Sequence, residues 1–175
     1  MIDVKVESVQ DLFLHELSDL YDGTQKIALI LLQLVNEVDN ERVRSVFQEH
    51  ERETIEQIET VERCFEILGT QPKRMMCCGV HGLKEEHQNF VKNSPPKKLL
   101  TMFDLGAVAK AEHYAIASYR TLIEKANLMG QQECTRLLQK NLEQEEAMAR
   151  RVEQLGRELG QQTIPEAVAA PDMEG

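Results

Sequence analysis

The chain has 175 residues, a formal net charge of −10 and ordinary hydrophobic (42%) and charged (29%) fractions. That length suits one domain with a sizeable core. The acidic balance argues against nucleic acid and anionic membrane surfaces as partners, because both reward clustered Lys and Arg. The longest apolar run, Ile27 to Leu32, has six residues, far short of the ~18 that a membrane span needs. The opening Met-Ile-Asp-Val-Lys-Val-Glu has no basic segment followed by an apolar one, so a cytoplasmic protein is expected.

Helix-forming residues dominate, and 3.6-residue periodicity marks four long segments. The first spans Ser8 to Glu37, with a stripe through Val9, Phe13, Leu17, Leu20, Thr24, Ile27, Leu31 and Leu34. Ser8 and Asp11 form the pattern of a capping box. Asn40 suits the N-cap of a second helix that runs to about Leu68. Gly69 and Pro72 stop that helix. The short turn between the two makes them antiparallel neighbours.

The stretch from Gly69 to Lys98 differs. It holds Gly, Pro, the adjacent thiols Cys77 and Cys78, and a short amphipathic piece, Val80-Leu83-His87-Phe90. Such a length can carry the chain back along a bundle ~40 Å tall. A third long helix then runs from about Lys98 to Met129, and a fourth from Gln131 to Leu159, with stops at Gly130 and Gly160. Two hairpins joined by one long crossover predict an all-α, ferritin-like four-helix bundle whose crossover carries a short extra helix. The bundle is expected over residues 8–160 and a disordered tail over 161–175. Cys64 and Cys134 lie near apolar helix faces and are expected to pack as small hydrophobes. Cys77 and Cys78, followed by His81, lack a second pair to complete a zinc site, so loop packing is expected of them.

Three glutamates intrude on the stripes: Glu53 on the second helix, Glu112 on the third and Glu145 on the fourth. Each lies close to the midpoint of its helix, so all three can meet at one level of the bundle. A carboxylate is rarely buried unless its charge is compensated. A shared metal ion is the obvious compensator. His50, one turn before Glu53, and Gln57, one turn after it, add an imidazole and a neutral oxygen. The candidate ligand set is therefore Glu53, Glu112, Glu145, Gln57 and His50, a donor set that suits iron or manganese ahead of zinc. The alternative for each glutamate is a rim position or a hydrogen-bonded pair. Thr54 could be the inward residue in place of Glu53, and His50 is the natural partner for a buried carboxyl without metal. No Glu-x-x-His occurs at these positions, so the di-metal template is met in part.

Certain segments resemble one family closely: Leu17-Ser-Asp-Leu-Tyr21, His50-x-x-Glu53-Thr54-x-x-Gln57, the Lys-Arg-Met-x-Cys and Gly-Leu pieces within 73–83, Glu112-His113-Tyr114 with Ile116-Ala117-Ser118-Tyr119, and Leu142-Glu143-x-Glu145-Glu146. Together they resemble the ferritin-like stress-response proteins of the YciE/YciF type, over roughly Asp11 to Gly160. The resemblance implies a dimeric ferritin-like bundle with a di-metal site, and it carries Glu53, Gln57, Glu112 and Glu145 over as ligands. Three departures remove carboxylates from the inner region: Gly23-Thr24-Gln25 where the family has Ala-Glu-Lys, Ala115 where it has Glu, and Ala149-Arg150 near a position where it often has Asp.

Two functions compete at this point. One is a stress-associated bundle with a partial carboxylate metal site at mid-height. The other is a metal-free bundle acting through homodimerisation or a protein partner.

Overall fold

A computed structural model describes residues 6–164. Five helices follow one another: α1 (Val9–Glu37), α2 (Glu41–Ile67), α3 (Cys78–Val91), α4 (Lys97–Leu128) and α5 (Gln132–Gln161). Among the described residues there is no strand. Most of the expected disordered tail, residues 165–175, lies outside the described residues.

Local chemistry sets the helix ends. Ser8 Oγ accepts the Asp11 N–H at 3.1 Å and donates to the Asp11 carboxylate at 2.7 Å, so the side chains close the first turn on each other. Asn40 Oδ1 accepts from the N–H groups of Arg42 and Val43. Gly69 and Gly130 take φ values of 64° and 69°, the left-handed conformation that glycine adopts without a Cβ clash. α5, by contrast, runs through Gly160 to Gln161, one turn of phase in which glycine is merely tolerated.

Pairs at matched heights give the topology. α1 pairs with α2 through Tyr21–Glu62, and with α4 through Asp19–Tyr114 and Glu16–Lys125. α2 pairs with α5 through Glu49–Arg151 and Arg42–Glu158. α4 pairs with α5 through Arg120–Glu146 and His113–Glu153. Where two pairs join the same helices, one residue number rises as the other falls, so those neighbours are antiparallel; the three-residue link from Glu37 to Glu41 makes α1 and α2 antiparallel as well. α2 and α4 are each antiparallel to α1 and hence parallel to one another. The crossover that links them makes the molecule an all-α, ferritin-like four-helix bundle with a short extra helix, α3, on the α1/α4 side.

The core has two apolar ends. Phe13, Leu17, Val61, Phe65, Tyr119, Leu122 and Leu138 fill one. Leu31, Leu34, Val43, Phe47, Leu105, Val152 and Leu155 fill the other. Between them lies a buried polar level containing Thr24, His50, Thr54, Gln57, Glu112, Asn141 and Glu145. Cys64 and Cys134 are buried thiols in the first apolar end.

α3 is fastened to this frame by specific contacts. The Cys77 N–H donates to Asp22 Oδ2 at 2.7 Å, and the Lys73 N–H donates to Ser18 Oγ at 3.0 Å. Phe90 stacks on Phe103 with centroids 3.8 Å apart. His87 Nε2 lies 2.7 Å from Asp104 Oδ1, and this contact raises the His87 pKa. A Cβ on Gly79 would fall 2.5 Å from the Tyr114 ring, so α3 packs closer to α4 than any side chain at 79 allows. Cys77 is buried beneath this contact and Cys78 is exposed.

Candidate metal centre

The polar level gathers three of the five sequence-selected residues into one cluster. One ligand atom each from His50 on α2, Glu112 on α4 and Glu145 on α5 lies within 4.8 Å of the others. All three are buried, at 2%, 1% and 4% exposure. α2 and α4 are diagonal in the bundle, so His50 and Glu112 face each other across its axis, and Glu145 comes from a helix adjoining both.

The electrostatics follow from burial. Loss of water raises the Glu112 pKa to about 7, offset in part by the neighbouring Glu145 carboxyl and reinforced by the charge of Glu53. Glu145 is raised well above the ordinary carboxyl value, first by loss of water and then by the Glu112 charge. Loss of water lowers the pKa of His50. Without an ion, then, burial disfavours the charged form of both carboxyls and of the imidazole.

Hydrogen bonding leaves this cluster incomplete. His50 Nε2 and Glu112 Oε1 are 2.9 Å apart, yet they are not aligned for an N–H···O bond, and neither Glu112 oxygen has a hydrogen-bond partner among the described residues. His50 Nδ1 and Gln57 Oε1 are likewise buried without one. Each such atom normally costs about 1–3 kcal/mol. Close approach without alignment is what two donors directed at a common third atom would show.

The remaining candidates stand differently. Gln57 is buried within reach of the Glu145 carboxyl, and its Nε2 donates to Gln144 Oε1 at 3.5 Å. Glu53 is only partly buried, and Thr54 takes the fully inward position beside it. The helical step of about 100° puts only one of two successive residues on the axis. Glu53 lies at the edge of the cluster, close enough for its charge to act on His50 and Glu112.

Thr24 and Ala115 are buried at the same level. The Thr24 hydroxyl donates to the Leu20 carbonyl at 2.8 Å, and Ala115 presents only a methyl group. The inner donors therefore come from α2, α4 and α5. Asn141 binds the level together: its Nδ2 donates to the Gln57 carbonyl at 3.3 Å and to the Tyr119 hydroxyl at 3.2 Å. Asp104, buried on α4 and paired with His87, is a polar core residue that the apolar stripes gave no sign of.

Comparison with known proteins agrees with this architecture. Residues 8–164 match the family model described as a domain of unknown function, DUF892. The protein YciF of Escherichia coli K12 is 32% identical over 145 residues, which is 82% of this chain and 87% of that protein. The crystal structure of the E. coli stress protein YciF matches with a TM-score of 0.85 and 30% identity, covering 89% of this chain and 99% of that one. YcfI of Rhodopseudomonas palustris matches with a TM-score of 0.83 and 29% identity, covering 87% and 98%. Matched by the family model over most of its length and similar in sequence and fold to YciF, the chain belongs to the DUF892 family.

Proposed function

We propose that this protein holds one transition-metal ion at mid-bundle through His50, Glu112 and Glu145, with Gln57 as a neutral oxygen donor and Glu53 at the rim. The observation that carries this reading is the Glu112 carboxyl: buried, beside a second carboxyl and an imidazole, and without a hydrogen-bond partner on either oxygen. A divalent ion would take the place of the carboxyl protons, engage the free lone pairs and balance the charge in one step. Two carboxylates and one imidazole suit iron or manganese, with zinc as the competitor that geometry alone does not reject. With Thr24 and Ala115 supplying no carboxylate, the donor count favours one ion over two.

Bound iron or manganese would supply one-electron chemistry toward oxygen or peroxide. The chain's own contribution is to hold the donors rigidly from three helices and to keep bulk water away from them. A stress-related role fits such a site, since the relative YciF is described as a stress protein, and we place the protein in the cytoplasm. The test is an anaerobic titration of untagged protein with ferrous iron. The expected result is about one ion per chain, lost in Glu112→Ala with Glu145→Ala; a native chain that binds none overturns the reading.

A second reading, a metal-free bundle acting through homodimerisation, draws support from α1, where Leu29 and Leu32 are 69% and 48% exposed. Among the described residues no helix is long and apolar enough to cross a membrane.

A further inference from the structure

Beneath the crossover helix, a pocket opens between α1, α3 and α4 and reaches inward to His50. Its walls are branched aliphatic side chains: Ile27 and Leu34 from α1, Val80 and Leu83 from α3, and Val108 from α4. Such a lining favours an apolar occupant. The one fully buried polar group among the lining residues is His50, which is 2% exposed. Its Nε2 faces Glu112, and its Nδ1 has no hydrogen-bond partner. An occupant therefore needs an apolar body and one polar atom at its inner end.

A carboxylate would be poorly served there. Lys84 belongs to the exposed side of α3, and His87 is committed to Asp104, so no free cation stands at depth. A hydroxyl both donates and accepts, and it satisfies Nδ1 in either tautomer. We infer that this pocket binds a small apolar alcohol, of the phenol type, whose hydroxyl meets His50 Nδ1 and whose ring lies among the α1, α3 and α4 aliphatics. The Nδ1 side of the ring takes this alcohol in the metal-free protein, independently of any affinity of the Nε2 side for an ion.

The probes are p-cresol and toluene, which differ by the hydroxyl. Affinities are measured by calorimetry on the metal-free full chain, and the site is located by amide chemical-shift changes. The expected result is p-cresol binding about three- to tenfold tighter than toluene, the worth of one hydrogen bond, with shifts at Val80, Leu83 and Val108. Ala107→Leu, which adds bulk to a pocket-lining position of α4, should weaken both probes about tenfold or more through overpacking, while circular dichroism shows the fold retained. His50→Phe should abolish the preference for p-cresol over toluene. Equal affinities for the two probes in the native chain overturn the hydroxyl contact. Shifts centred instead on the α1/α4 groove around Leu12 and Tyr114, or no binding at millimolar probe, overturn the site.

Discussion

Glu112 stands inside the bundle with one carboxyl oxygen near His50 and neither oxygen hydrogen-bonded. That arrangement makes metal affinity depend on pH in a definite direction. Burial pushes the Glu145 carboxyl well above the ordinary carboxyl range and the Glu112 carboxyl up to about 7, and it lowers the His50 pKa. An ion must displace protons from the carboxyls but none from the imidazole, so affinity rises with pH through about 7. Calorimetry in buffers of different ionisation enthalpy should show net proton release on binding at pH 6.5; no release, or tighter binding at lower pH, contradicts the assignment. The same burial implies a stability cost in the metal-free state. Glu112→Leu with Glu145→Leu should raise the unfolding free energy of the metal-free protein by about 1–4 kcal/mol in urea denaturation, the usual gain when buried ionisable groups give way to apolar ones. A destabilised variant would show that the pair serves structure alone. At this scale the sequence was informative about Glu112 and Glu145, because each interrupts an apolar stripe. It was ambiguous at Glu53 and Thr54, because adjacent residues share the margin of a stripe about 100° wide, and tertiary packing chose Thr54.

At the scale of elements, the caps were the clearest signals. Ser8, Asn40, Gly69 and Gly130 act where their short-range chemistry says they should. The expected end at Leu159 was two residues early, since a glycine near a helix end is tolerated in either phase. The crossover was legible as a connection with a short helix, but its docking was not. Asp22, Ser18 and Asp104 are polar residues on or near helical stripes, and nothing local says that a distant loop will satisfy them. α1 also carries an exposed apolar face that the bundle does not use. If that face serves a homodimer, Leu29→Glu with Leu32→Glu should shift sedimentation from dimer toward monomer while helicity is unchanged; a native chain that sediments as a monomer, or a variant that remains dimeric, removes that reading.

The whole molecule is two apolar plugs separated by a polar level, and the topology explains why that level exists. A long crossover makes α2 and α4 parallel and diagonal, so residues near their midpoints, such as His50 and Glu112, 62 positions apart in sequence, face one another at mid-height. Helix lengths and the crossover length were enough to predict that meeting. Which donors complete it was not legible, because side-chain direction depends on how neighbouring helices rotate to pack. The central claim is that His50, Glu112 and Glu145 converge on one ion. The measurement that bears on it most directly is an anomalous difference map from crystals grown with manganese or iron. The account predicts a single strong peak roughly 2.0–2.3 Å from His50 Nε2 and from an oxygen of each glutamate, distances usual for nitrogen and oxygen ligands of such ions. No peak at mid-bundle, or peaks only on the acidic outer faces of the helices, would contradict it.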